Sequence, residues 1–153
     1  MKYLVKFFDY TALVAFTAMM GCVLLEVVAR NVIHMPTTWA EELSRFMCVW
    51  TVFMGSASAW ARNTHIMINI LPRRLKGRAR QALSLATQLL TLAFLASVWF
   101  GAIYIMIEQQ EATTTALEIS ISWFYLALFV GATGMLIFHV EWMVKTLLGR
   151  ANV

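Results

Sequence analysis

Residues 37–46 read TTWAEELSRF, and residues 47–60 continue as MCVWTVFMGSASAW. The first part carries two glutamates and an arginine, as the start of a soluble helix would; the second carries no charge. A helix needs about 20 residues, at about 1.5 Å each, to cross roughly 30 Å of hydrocarbon. The stretch from Trp39 to Ala61 is long enough, so it reads as a membrane span whose outer turns hold Glu41, Glu42 and Arg45. Three further apolar segments lie outside it, at about 10–30, 81–107 and 119–142. The expected fold is therefore an all-α integral membrane protein with four transmembrane helices in a single domain, residues 1–153.

Composition agrees. The chain is 61% hydrophobic and 13% charged, against about 45–50% apolar and about 25% charged for a soluble domain. The start MKYLVK is basic, but no A-x-A-like site closes the apolar run behind it, so the first segment is expected to remain as a span. Cys22 and Cys48 both sit inside apolar runs and read as small buried residues. No Walker A, H-E-x-x-H or G-x-S-x-G motif occurs. No catalytic residue, cofactor or metal is expected, and the chain does not read as an enzyme.

The net charge of +4 is informative through its placement. If the spans alternate, ten of the twelve Lys and Arg fall on one side: Lys2, Lys6, Arg62, Arg73, Arg74, Lys76, Arg78, Arg80, Lys145 and Arg150. The opposite segments, 31–38 and 108–118, have no Lys or Arg and hold Glu108, Glu111 and Glu118. The positive-inside rule then puts both termini in the cytoplasm. Trp39 and Trp60 bracket the second span, and Trp123 and Trp142 bracket the fourth, as interfacial anchors would. The linker RNTHIMINILPRRLKGRAR, 62–80, reads as a short interfacial segment followed by a basic elbow of Arg73, Arg74, Lys76, Arg78 and Arg80 facing lipid headgroups. Nucleic acid is not the expected partner, because the aromatics that would stack on bases are embedded in the spans.

Charges inside spans are costly and need partners. Glu26 and Arg30 are spaced i,i+4, as are Glu41 and Arg45. Across the hairpin, Glu26 and Arg45 lie equally far from the point between Met35 and Pro36, and so do Arg30 and Glu41. The expectation is a cross-linked cluster in which Glu26 meets Arg45 and Arg30 meets Glu41 or Glu42. Thr38 and Glu41 also fit a capping box. A proton or ion relay is the functional alternative, and the arginine beside each acid argues against it. Small residues mark expected helix contacts at Gly55, Ala59, Gly131 and Gly134.

Several of these strings together resemble a known family. They are PTTWAEELSRF (36–46), WTVFMGSASAWARNTH (50–65), INILP (68–72), EVVAR (26–30) and ISISWFY (119–125). The chain resembles the small membrane subunit, DctQ-like, of tripartite ATP-independent periplasmic (TRAP) transporters. The shared pattern runs Trp39-x-x-Glu42-x-x-Arg45, then Trp50, Gly55 and Ala59, then Arg62, His65 and Pro72. The resemblance implies a bacterial inner-membrane scaffold subunit that pairs with a large permease carrying the substrate and sodium sites and moving as an elevator. A periplasmic binding protein would deliver a carboxylate such as a C4-dicarboxylate or sialic acid, docking in part on segments 31–38 and 108–122.

Two readings from other classes stay beside it. One is the membrane anchor of a redox complex, with His65 and His139 as b-haem ligands; the bland alternative is that both histidines are solvated or interfacial. The other is a small self-contained exporter with Glu26 or Glu42 as its cycling acid.

Overall fold

The computed structural model describes residues 2–35, 37–62 and 78–147. They form four long helices: α1, Lys2–Val28; α2, Thr38–Ala61; α3, Arg78–Glu108; and α4, Ser122–Leu147. A π turn, Ala29–Ile33, extends α1. Helix α1 starts well before Tyr10 because the preceding residues contain no Gly or Pro to stop it. Three stretches are long and apolar enough to cross a membrane, Lys2–Ile33, Ala82–Glu108 and Ser122–Lys145. Helix α2 falls short on hydropathy, since it carries Glu41, Glu42, Arg45 and several serines and threonines. Of the basic elbow, Arg73, Arg74 and Lys76 lie outside the described residues, as does His65; Arg78 and Arg80 fall in the first turn of α3.

The helices pack as two hairpins joined along one seam. Helix α1 lies antiparallel on α2, and α3 lies antiparallel on α4. Helices α2 and α4 run parallel and hold the hairpins together: Phe46 meets Phe124 with ring centroids 5.0 Å apart, and one turn pair further on Phe53 lies against Gly131. The backbones of α1 and α3 do not approach each other. Where the hairpins meet, Phe8, Met54, Ala57, Leu95, Met135 and Phe138 form the buried core. Phe8 stands edge-on to Phe138 at 6.1 Å.

Small residues set the closeness of the seam. A methyl group at Gly131 would lie 2.7 Å from the Phe53 Cβ, and one at Gly134 would lie 2.5 Å from the tip of the Phe8 ring. A methyl group at Gly55 would meet nothing within 4 Å, and Ala59 is half-buried. Polar ties hold the other hairpin: the Trp99 indole N–H donates to the Thr133 hydroxyl at 2.9 Å, and the Ser122 hydroxyl donates to the Met106 carbonyl at 2.7 Å. The outward faces of α1 and α3 are apolar and open, with Leu13, Leu24 and Val28 on one and Leu90, Phe94 and Tyr104 on the other. Such surfaces suit lipid or another membrane helix, where apolar exposure carries no penalty.

The loop from α3 to α4 doubles back on itself. Thr113 and Ser120 form an antiparallel bridge, Thr114 N–H donates to the Ile119 carbonyl, and Ile121 N–H donates to the Ala112 carbonyl. Glu118 makes the reversal in the left-handed region, at φ 53°. This compact fold lets a short loop present its middle residues, 115–117, toward α2.

Candidate functional site

The outer end of α2 is where the charges gather, and they do not pair as their depths suggest. Glu42 turns to the α3–α4 loop. Its carboxylate accepts from the Thr115 hydroxyl at 2.7 Å, from Ala116 N–H at 3.0 and 3.1 Å, and from Leu117 N–H at 3.0 Å. An ionised carboxylate is acceptor-only, so it suits this set of donors without a proton of its own. Arg45 pairs with Glu41 along the helix.

The expected cross-hairpin pairs, Glu26 with Arg45 and Arg30 with Glu41 or Glu42, therefore do not form. The reason is azimuth. Arg45 stands nine residues from Met54, two and a half turns of helix. Met54 is fully buried in the core, so Arg45 points to the opposite side, and its side chain is 71% exposed. The capping box also fails. Thr37 is the N-cap and acts through its backbone, its carbonyl accepting from Ala40 and Glu41 N–H, while the Glu41 side chain is taken by Arg45.

Beside Glu42 and Arg45 a groove of about 620 Å³ runs between α2 and α4. Its floor is apolar, with Val49, Phe53, Phe124 and Leu128, and Thr113, Thr114 and Thr115 close its outer end. The site thus joins a charged rim to an apolar trough, with the loop pinned over it by Glu42. Trp39 and Trp123 stand at the same outer end, 42% and 54% exposed.

A second polar tie, at the other end of the first hairpin, has no counterpart in the sequence reading. Asp9 accepts from the Ser58 hydroxyl and pairs with Arg62. Asp9 and Arg62 lie equally far from the point between Met35 and Pro36, so the depth rule applied to Glu26 and Arg45 would have found them. It works here because Ser58 is buried toward α1, one turn from Arg62, whereas Arg45 faces away.

His139 is buried, at 4% exposure, and this overturns the expectation of a solvated or interfacial side chain. Trp60 and Trp142 cover it, with ring centroids 5.6 and 6.2 Å from the imidazole. Its Nε2 lies 3.1 Å from the Gln88 carbonyl oxygen. A carbonyl only accepts, so the ring proton sits on Nε2 and that nitrogen is engaged. Among the described residues no group of three or more His, Cys, Asp and Glu is placed to hold a metal. Purified chain is expected to be colourless; a haem Soret band that vanishes in His139→Ala would instead establish the redox-anchor reading. Protonation of Glu42 would set an O–H donor against the loop's N–H and O–H donors, which opposes its use as a proton carrier.

The chain matches the family model described as tripartite ATP-independent periplasmic transporters, DctQ component, over residues 19–149. It is 31% identical over 144 residues to the sialic acid TRAP transporter small permease protein SiaQ of Vibrio cholerae, covering 88% of this chain and 80% of that one. It is 28% identical over 90 residues to the sialic acid TRAP transporter permease protein SiaT of Haemophilus influenzae. That match covers 59% of this chain and only 15% of the relative's length.

Proposed function

The chain belongs to the DctQ-component family of TRAP transporters, and on that footing we propose that it is the small, non-catalytic scaffold subunit of a sodium-driven carboxylate importer. It spans the bacterial inner membrane four times with both termini in the cytoplasm, and it associates with a large permease subunit that carries the solute. A periplasmic binding protein docks on its outer end, where the α3–α4 loop is held by Glu42. Sialic acid is the favoured solute, by likeness to the two sialic acid relatives, with C4-dicarboxylates the nearest alternative.

The observation that carries this reading is the match to a 15% stretch of a much longer permease chain. In that relative the small part and the rest are one polypeptide, as expected of pieces that work side by side. The open apolar faces of α1 and α3 are consistent with a subunit that buries surface against a partner in the membrane. Charge placement supports the topology, since the segment between α3 and α4 has no Lys or Arg.

The test is reconstitution. Liposomes holding this chain with its large permease and binding protein should take up labelled sialic acid when a sodium gradient is imposed. Liposomes holding this chain alone should take up none. Uptake by the chain alone would sink the scaffold reading and favour a self-contained carrier.

A further inference from the structure

Three acid–base pairs in the chain share one spacing and order: Glu26 with Arg30, Glu41 with Arg45, and Glu141 with Lys145. The second and third close into ion pairs along their helices. The first stays open, and neither its carboxylate nor its guanidinium has a hydrogen bond or ion pair among the described residues.

The α-helix gives way to the π turn at Ala29, between the two residues. Both His34 and Met35 N–H reach back to the Ala29 carbonyl, and the Asn31 amide donates to the Val27 carbonyl at 2.8 Å. A π turn winds less per residue than an α-helix and begins only at Ala29, so Arg30 stays on the side of α1 that carries Glu26. Single π turns are rare and concentrate at functional positions.

Depth decides who can answer them. Glu26 lies seven residues before the end of the π turn at Ile33, about 10 Å below it. A carboxylate at that depth needs a cation beside it. Lipid phosphates can serve Arg30 near the surface, but they carry no positive charge for Glu26. The nearest candidate in the chain, Arg45, faces the far side of α2 and is taken by Glu41.

We propose that Glu26 and Arg30 form a two-charge contact with a transmembrane helix of the large permease subunit. That helix presents a Lys or Arg against Glu26 and an Asp or Glu against Arg30. This rests on the reading of the chain as a TRAP small subunit.

The experiment is a charge swap read by co-purification. The double variant Glu26→Arg, Arg30→Glu keeps one acid and one base at these two positions but reverses the polarity offered to a partner. It should fold alone with the helix content and melting midpoint of the wild type, yet recover at least about tenfold less large permease. If the swapped chain recovers as much permease as the wild type, the two charges answer only each other and the proposal fails. Should the swap not fold, the neutral pair Glu26→Gln, Arg30→Gln carries the same test: a folded chain with undiminished recovery also overturns it. A wild-type chain that recovers no permease would overturn the subunit reading itself, and this contact with it.

Discussion

Replacing Gly131 with valine should separate the two hairpins and lower stability by about 2–3 kcal/mol, the upper range for overpacking a tight core. The close neighbours are backbone and near-backbone atoms: the Phe53 Cβ at 2.7 Å, its carbonyl oxygen at 2.9 Å and its carbonyl carbon at 3.0 Å. None of these can swing aside without moving α2. The α2–α4 seam is also where the backbones of the two hairpins approach, since those of α1 and α3 do not. Gly134 offers a built-in contrast. Its nearest neighbour is the tip of the Phe8 ring, a movable group, with the Ala57 Cβ at 3.1 Å behind it. Unfolding in mixed micelles should therefore rank Gly131→Ala as clearly more damaging than Gly134→Ala. Equal or reversed effects would mean that the seam is looser than this geometry.

Replacing Glu42 with alanine should free the outer loop. Ala116 and Leu117 N–H and the Thr115 hydroxyl all lose their acceptor at once. Hydrogen exchange at Ala116 and Leu117 should rise to the rate of an unprotected loop, and binding-protein-dependent uptake should fall with it. Glu42→Gln should recover only part of the effect, since one acceptor oxygen becomes an NH₂ facing an N–H donor. The adjacent Glu41→Ala is the control. It removes one exposed i,i+4 ion pair, worth at most about 0.5 kcal/mol, and should leave loop exchange unchanged. Loop protection that survives in Glu42→Ala would show that the hairpin-like bonds within 112–121 hold the loop without α2.

Much of the architecture was legible from apolar run lengths. Segments 39–61 and 81–107 reappear within a few residues as α2 and α3, because Gly, Pro and charge clusters at their ends punctuate the chain clearly. Helix α1 extends ahead of segment 10–30, since charge near a helix end does not stop a helix. The pairings of the charges were illegible in the sequence. Glu42 stood out as an acid in an apolar helix, but its partners lie in a polar loop more than seventy positions away, where backbone N–H groups leave no trace in side-chain identity. Asp9 lies outside the apolar runs and is less conspicuous than the charges within them, yet it mirrors Arg62 about the turn of the first hairpin. His139 looked interfacial by depth and proved buried, because the tryptophans near it cover it from two sides.

By itself the sequence determined the helical class, the lengths of the apolar helices and the family, all of which follow from composition and order along one dimension. It also determined how far along its helix each charge stands, because that distance is residue number times rise. Only the tertiary structure decided which charge meets which group. That choice depends on rotation about the helix axis and on where a distant loop folds back, and neither is set by how far along its helix a residue stands. Glu42 thus belongs to the outer loop, Arg45 to Glu41, and Glu26 and Arg30 to neither.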